Sequence, residues 1–360
     1  MHSLSVCAAA AILIAWQSPA VQGDDKSPFA KMSQKARLAA IRRAQVWKAT
    51  DVKAKDLKKG PIDHDGFAPQ ALLPCAYRER DMSGRTPKFT CELAKGDEIK
   101  VKYGADNGEV YAEVAATRLM WALGFPADRM FSVRVACEGC PADPHTKKGE
   151  TAGKVLFDPA AVERKMKGAA METSPDSGWA WNELDEVREA EGGAPQAQRD
   201  ALKLLAVFLQ HGDNKPSQQR LVCASAKDEE ENADCAEPWM IVQDLGVTFG
   251  RANLFNRGNT GSVNYQAWSE VPIWLDVPSC IGNLAPSQSG SMENPHVSEA
   301  GRKFFADLLL QLSDGQLRDL FETARFAERK TDNVRAATVD QWVDAFKQKR
   351  DQIVKRTCPA

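Results

Sequence analysis

Three patterns follow one another between residues 88 and 137, and together they constrain the fold more than any other feature. Lys88 to Leu93 and Glu98 to Tyr103 alternate between apolar and polar residues across a short turn, which predicts a β-hairpin. Glu109 to Leu123 has the apolar spacing of an amphipathic helix, and Gly124 is placed to end it. Met130 to Cys137 predicts a further strand. The order strand, strand, helix, strand predicts an α+β fold.

Helical patterns dominate the rest of the chain. Lys31 to Thr50 has a helical composition, and Arg199 to Gln210 is a strongly apolar helix. Near the end, Gly301 to Leu312 and Thr338 to Arg356 predict two more helices. With 360 residues, 43% of them hydrophobic, the chain is long enough to bury a sizeable core.

The first 23 residues have the pattern of a secretory signal peptide. An apolar run from Val6 to Trp16 leads to Val21-Gln22-Gly23, whose small residue at the end suits a signal peptidase. A membrane anchor is the alternative, but a run of about 11 apolar residues is too short for a bilayer that needs about 20. We therefore expect residues 1–23 to be removed, no membrane span to remain, and the protein to be exported to the periplasm or the medium.

The cysteines support export. There are nine, and loss of Cys7 with the signal peptide leaves an even number. They fall into neighbouring sets, so we predict disulfides between Cys75 and Cys91, Cys137 and Cys140, Cys223 and Cys235, and Cys280 and Cys358. Cys137 and Cys140 could instead form half of a zinc site or a redox motif, but no second close pair accompanies them.

Charge and histidine content argue against several classes of function. The 47 basic and 49 acidic residues give a net charge of −2, so nothing predicts a nucleic-acid partner or an anionic membrane surface. After signal removal the remaining histidines are scattered, which disfavours a zinc or iron enzyme. No Gly-x-Ser-x-Gly segment marks a serine hydrolase.

The segment from His211 to Gln218 carries the strongest chemical signal. It matches the kinase catalytic loop His-x-Asp-x-Lys-Pro-x-Asn at four positions, with Gln218 in place of the asparagine. Asp213 would then orient a substrate hydroxyl, Lys215 would face the transferred phosphoryl group, and Gln218 would hold a metal. The alternative is a polar turn after a helix, because Asp-Asn-Lys-Pro has ordinary turn chemistry.

A second kinase-like segment follows at Asp244-Leu245-Gly246. A β-branched strand precedes it, and it resembles the Asp-Phe-Gly motif in which the aspartate binds a metal. The interval from Asp213 is longer than in common protein kinases. An acidic insertion from Asp228 to Asp234, closed by Cys223 and Cys235, would absorb the excess.

Phosphoryl transfer also needs a cation at the nucleotide phosphates. Lys102 on the predicted strand and Glu113 on the following helix are our candidates for the lysine–glutamate pair, with Lys100 and Glu109 as nearby alternatives. No Gly-x-Gly-x-x-Gly loop precedes them. The turn that contains Gly84 is the nearest substitute for binding phosphates through backbone N–H groups.

These motifs occur in kinase order, and the chain over roughly residues 71–350 resembles the protein-kinase-like superfamily. The departures resemble an atypical branch, similar to phosphatidylinositol kinases and to secreted kinases that act on exported proteins or glycans. The resemblance implies a bilobal, disulfide-stabilised fold with ATP and Mg²⁺ or Mn²⁺ in the cleft between a small β-rich lobe and a larger, mainly helical one.

On this interpretation the chain divides into a signal peptide (1–23), a helical extension (24–60), an amino-terminal lobe (61–140) and a carboxy-terminal lobe (141–360). The implied activity is transfer of the ATP γ-phosphoryl group to a hydroxyl of a protein, glycan or lipid head group. Gln218 and the missing glycine loop leave one alternative open, a secreted pseudokinase that binds a nucleotide or a protein without turnover.

Overall fold

The computed structural model describes residues 29, 32–63, 65–82, 84, 86–151, 153–171, 178–225, 235–250, 262–285, 290–329 and 336–359. The predicted signal peptide and the acidic segment from Asp228 to Asp234 lie outside the described residues.

The described chain contains helices and strands in a mixed order, as the α+β prediction required. The helices are α1 (Gln34–Arg42), α2 (Glu109–Leu123), α3 (Gln196–Leu209), α4 (Tyr265–Ser269), α5 (Glu299–Leu309), α6 (Asp314–Thr323) and α7 (Val339–Val354). The strands are β1 (Leu72–Arg78), β2 (Lys88–Glu92), β3 (Glu98–Tyr103), β4 (Arg129–Glu138), β5 (Pro141–Asp143), β6 (Lys148–Thr151), β7 (Lys154–Arg164), β8 (Ala169–Ala170), β9 (Gln219–Cys223), β10 (Pro238–Val242), β11 (Trp274–Asp276) and β12 (Ile281–Gly282). Short 3₁₀ helices cover Ala94–Gly96, Trp181–Glu186, Glu189–Glu191, Pro216–Gln218 and Phe326–Glu328.

Five strands close into a barrel in the order β1-β2-β3-β7-β4. The predicted hairpin of β2 and β3 is confirmed, with Lys88 opposite Lys102. Alternate side chains such as Phe89, Val101 and Phe131 are buried and fill the barrel interior. The barrel includes β7, which pairs with both β3 and β4, so the strand-rich unit extends to Arg164 and beyond the expected lobe boundary at residue 140.

Helix α2 spans the predicted residues and packs against the barrel. It ends at Gly124, which adopts the left-handed conformation with φ of 86°. A Cβ atom at this position would lie 2.2 Å from the carbonyl oxygen of Lys48. Glycine is therefore required both for the backbone conformation and for the close approach of the chain near Lys48.

The predicted helix from Lys31 to Thr50 is wrong in its second half, because α1 ends at Arg42. Beyond it the backbone pairs with a distant strand. The N–H of Gln45 donates to the carbonyl of Pro238 over 2.8 Å, and the N–H of Met240 donates to the carbonyl of Gln45 over 3.0 Å. These bonds to β10 satisfy groups that a longer helix would have paired within itself.

The helical part of the molecule is built around α3, which packs closely against α5. A cluster of aromatic rings that includes Phe249, Trp268, Phe321 and Trp342 fills the space beside α7. The predicted helices near residues 301–312 and 338–356 are observed as α5 and α7, with α6 between them.

All four predicted disulfides are present: Cys75–Cys91, Cys137–Cys140, Cys223–Cys235 and Cys280–Cys358. Cys137 and Cys140 therefore form a disulfide with each other, rather than half of a zinc site. Among the described residues, no helix has both the length and the apolar character needed to cross a bilayer.

Candidate functional site

Lys102 lies at the centre of a carboxylate cluster between the barrel and α2. Its Nζ is 2.6 Å from Glu113 Oε1, 2.7 Å from Glu109 Oε2 and 3.7 Å from Asp244 Oδ2. The Lys102 side chain is 1% exposed. Glu109 and Glu113 are one helical turn apart on α2, so both carboxylates point to the same side. Of the two candidate lysines on β3, Lys102 is the one that contacts Glu113, because Lys100 pairs with Glu163.

The charges in this cluster shift one another's pKa values. Burial alone would lower the pKa of Lys102, but Asp244, Glu113 and Glu109 outweigh it and raise that pKa well above its ordinary value. Burial would raise the pKa of Asp244, yet the Lys102 ammonium holds it well below its usual range. Burial, together with the neighbouring Asp244, raises the pKa of Glu113. Lys102 is therefore charged, while burial favours the protonated form of Glu113.

Asp244 lies two residues after the end of β10. The N–H of Gly246 donates to Asp244 Oδ1 over 3.0 Å, which orients the carboxylate. A Cβ atom on Gly246 would lie 2.8 Å from the Glu109 carboxyl group. The glycine of the Asp-Leu-Gly segment thus leaves the space in which Glu109 reaches Lys102.

The segment from His211 to Gln218 begins where α3 ends. The α3 C-cap, Gln210, has a φ of 56°, which redirects the chain out of the helix. Gln218 Nε2 then donates to Asp213 Oδ2 over 2.9 Å, and Lys215 Nζ lies 3.2 Å from the same oxygen. Asp213, Lys215 and Gln218 are therefore in mutual contact.

Backbone hydrogen bonds connect this loop to the Asp244 segment. The N–H groups of Gln243 and Asp244 donate to the carbonyl of Gln218 over 2.9 Å and 3.3 Å. The N–H of Gly212 donates to the carbonyl of Val247 over 3.0 Å. The two predicted motifs thus form one unit, with Asp244 facing Lys102 on one side and Gln218 facing Asp213 on the other.

Asn214 holds the loop in place through buried hydrogen bonds. It is fully buried, its Oδ1 accepts from the N–H of Met292 over 3.2 Å, and its Nδ2 donates to the carbonyls of His211 and Met292 over 3.2 Å each. Its own carbonyl accepts from Ser291 Oγ over 3.2 Å. Sequence analysis did not assign Asn214 a role, because its partners lie far along the chain.

His211 is buried beside Trp181, with ring centroids 6.0 Å apart. Neither ring nitrogen has a hydrogen-bond partner among the described residues. Burial lowers the pKa of His211 to about 4. The imidazole is therefore neutral at pH 7, and its place is structural rather than that of a proton donor.

The carboxylates around Lys102 also have the chemistry of a hard-cation site. One oxygen from each of Glu109, Glu113 and Asp244 lies within 4.8 Å of the others. Glu113 Oε2 is buried without a hydrogen-bond partner in the described structure. Carboxylate oxygens are the ligands that Mg²⁺ and Mn²⁺ prefer. The residues present therefore fit such an ion, with Asp244 as the most exposed of the three.

Gly84, the proposed substitute for a glycine-rich loop, has a φ of 88°. Its neighbours Ser83 and Arg85 lie outside the described residues. Glu109, which the sequence offered as an alternative to Glu113, contacts Lys102 together with Glu113. Lys88 was not assigned from the sequence, and its position opposite Lys102 in the predicted hairpin could have identified it.

No family model matches the chain, and no curated protein matches it. Among solved structures, the chain is similar to a Helicobacter pylori proinflammatory kinase, CtkA, with a TM-score of 0.39 and 10% identity over 80% of this chain and 95% of that one. It is also similar to a Golgi casein kinase with Mn/ADP bound, with a TM-score of 0.35 and 12% identity over 79% of this chain and 72% of that one. Both of these proteins are described as kinases.

Proposed function

We propose that this chain is an exported, atypical kinase-like phosphotransferase, which moves the γ-phosphoryl group of ATP to a hydroxyl acceptor. One observation carries the proposal. A fully buried lysine on a barrel strand contacts a helix glutamate at 2.6 Å and faces Asp244 at 3.7 Å, while the Asp244 segment is hydrogen-bonded to the loop that holds Asp213. Phosphoryl transfer requires a cation, metal-binding carboxylates and a hydroxyl-orienting carboxylate close together.

The proposed roles follow from where each side chain lies. Lys102, oriented by Glu113, would bind nucleotide phosphates, and backbone N–H groups near Gly84 would approach them. Asp244 and Gln218 would hold Mg²⁺ or Mn²⁺, which supplies charge neutralisation on the phosphates.

Asp213 and Lys215 would act at the acceptor. Asp213 would accept the hydroxyl proton as the acceptor oxygen bonds to the γ-phosphorus and the bond to the bridging oxygen breaks, which releases ADP. Lys215, 3.2 Å from Asp213, would lie against the transferred group.

A bilobal arrangement and export complete the proposal. The barrel would form the amino-terminal lobe and the helices from α3 onward the carboxy-terminal lobe, with the nucleotide between them. Four disulfides favour an oxidising compartment, such as the periplasm or the medium. The acceptor is a hydroxyl of a protein, a glycan or a lipid head group.

The test separates nucleotide binding from turnover. Purified protein with Mg²⁺ or Mn²⁺ and γ-labelled ATP should show autophosphorylation or ATP hydrolysis. Asp244→Asn should remove metal-dependent ATP binding, whereas Asp213→Asn should bind ATP normally and lose turnover. Asp276→Asn is the control, because this aspartate lies on β11, outside the cluster. If the wild type shows no ATP-induced thermal shift with either metal, the proposal fails.

A second candidate function is a secreted pseudokinase, and one contact favours it. Asp213 Oδ2 is already engaged by Gln218 and Lys215, so the oxygen that would receive a proton has two partners. On this alternative the wild type binds ATP with metal but neither hydrolyses nor transfers it. The label experiment with wild type and Asp213→Asn distinguishes the two, because a pseudokinase would give the same background for both.

A further inference from the structure

Lys88 is a cation near the cluster to which the proposed chemistry assigns no role. It is the first residue of β2 and is partly buried. Its Nζ lies 3.1 Å from the position that a Cβ atom on Gly84 would occupy, so the side chain reaches back across the turn that contains Gly84. Among the described residues, the Lys88 ammonium group forms no ion pair or hydrogen bond, and the opposite charges that act on it are those of Glu109 and Asp244.

The strand register places Lys88 on the same face as Lys102. The two residues are directly opposite in the antiparallel pair of β2 and β3. Such partners have Cβ atoms about 5 Å apart, and like charges at directly opposite positions are destabilising. Lys100, two residues before Lys102, is on this face too. Burial and the charges of Lys102 and Lys100 lower the pKa of Lys88.

The other two lysines on this face have carboxylate partners. Lys102 contacts Glu109 and Glu113 and faces Asp244, and Lys100 pairs with Glu163. The second oxygen of Glu109 accepts from Thr86 Oγ1 over 2.6 Å, so both oxygens of that carboxylate already have a partner. Glu109 and Asp244 act on Lys88 only at longer range, so among the described residues Lys88 is the lysine on this face without a carboxylate in direct contact.

We propose that Lys88, beside Lys102 on the same face of the barrel, binds an oxygen of the nucleotide's polyphosphate chain. This inference rests on the proposed function, and it adds a second cation to the phosphate site. An ammonium on β2 would supply charge where a glycine-rich loop would supply N–H groups, and a charged donor to a phosphate makes the stronger hydrogen bond. The repulsion between Lys88 and Lys102 destabilises the ligand-free protein, and a bound phosphate would offset that repulsion.

The test compares the nucleoside alone, the polyphosphate alone and nucleotides that contain both. Binding of adenosine, ADP, ATP and inorganic tripolyphosphate is measured by calorimetry with Mg²⁺ for wild type, Lys88→Met, Lys88→Arg and the exposed-strand control Lys154→Met. For Lys88→Met we expect the Kd of ATP and tripolyphosphate to rise roughly tenfold to a hundredfold, as for loss of one hydrogen bond to a charged group. The Kd of adenosine should not change, Lys88→Arg should bind ATP nearly as well as wild type, and Lys154→Met should behave as wild type.

Thermal unfolding provides a second readout. Removing one of two opposed lysines should leave the ligand-free Lys88→Met protein as stable as wild type or more so, while the ATP-induced rise in Tm shrinks. A purely structural lysine would do the reverse and lower the ligand-free Tm.

Three outcomes would overturn the inference: unchanged ATP affinity in Lys88→Met, equal losses for adenosine and ATP, or failure of Lys88→Arg to retain binding. A different result would contradict the proposed function. If the wild type binds tripolyphosphate at least as tightly as ATP, and Lys88→Met weakens that binding, Lys88 binds phosphate but the site does not select a nucleotide.

Discussion

The side-chain amide of Gln218 donates to the Asp213 carboxylate, with Nε2 2.9 Å from Oδ2. A carboxylate can only accept from this group, so the amide nitrogen must face Asp213 and the amide oxygen must face away from it. One side chain can thus position the proposed catalytic carboxylate while offering its oxygen to a metal.

Gln218→Leu tests this double role, because leucine approximates the volume and removes both polar atoms. We expect kcat to fall by roughly tenfold or more, since a loosely held carboxylate loses its productive geometry. The KM for ATP should change far less, because Lys102 and Asp244 are untouched. Steady-state kinetics with labelled ATP measure both, and Gln266→Leu on the exposed side of α4 is the control. A normal kcat in Gln218→Leu would show that this contact is dispensable.

The cluster around Lys102 should respond asymmetrically to loss of charge. Lys102→Met leaves three carboxylates facing one another without a cation, and we expect a loss of about 3–5 kcal/mol in the free energy of unfolding. Glu113→Gln keeps the shape and removes the charge of the carboxyl that burial already biases towards its protonated form, so its cost should be below about 1 kcal/mol. Urea unfolding at pH 7 measures both. Equal losses in the two variants would contradict the geometry.

His211 should make the fold acid-sensitive. Its pKa is about 4 in the folded protein and 6.5 in the unfolded chain, so the unfolded state binds a proton first as the pH falls. Stability contributed by the neutral ring is therefore present above about pH 6.5 and lost towards about pH 4, by up to about 3 kcal/mol.

His211→Leu should reduce the difference in unfolding free energy between pH 7 and pH 4.5 by about 2–3 kcal/mol, measured by urea unfolding. His296→Leu, at an exposed position, is the matched control. An unchanged pH dependence in His211→Leu would mean that the ring does not experience the apolar surroundings seen here.

The disulfides should contribute different amounts to the free energy of unfolding, according to the length of the loop that each closes. Cys280 and Cys358 are 78 residues apart, whereas Cys137 and Cys140 are 3 apart. The chain-entropy relation gives about 4.5 kcal/mol for the long loop and about 2 kcal/mol for the short one. Paired Cys→Ser variants, compared by urea unfolding, should show the larger loss for Cys280 and Cys358. The opposite order would indicate that native contacts, rather than chain entropy, dominate.

Local patterns predicted β3 and α2 to the residue and β2 to within one residue. These elements follow from alternation, helical spacing and a terminal glycine, all of which are encoded within a few neighbouring residues. The second half of the predicted first helix failed for the opposite reason. Gln45 forms hydrogen bonds with Pro238 and Met240, which are nearly 200 residues away, so no local pattern predicts them.

The candidate site likewise contains residues that the sequence predicted and residues that it did not. The order of Lys102, Glu113, Asp213 and Asp244 was readable from motifs, and the structure brings these residues into two connected clusters. The support of the loop by Asn214 was not readable, because its partners at Ser291 and Met292 become neighbours only through the tertiary fold.

The segment after α1 has a consequence for how such a site is controlled. Gln45 pairs with β10, which ends two residues before Asp244 along the chain, and Trp47 Nε1 donates to the carbonyl of Leu123 at the end of α2, which carries Glu113. Farther along, Arg118 Nη1 donates to the carbonyl of Leu57 over 2.7 Å. Residues 45–57 therefore contact both the strand that precedes Asp244 and the helix that carries Glu113. The contact between Lys102 and Glu113 is thus held in place by a segment outside the cluster, and substitutions in that segment would act on the cluster without touching any of its side chains.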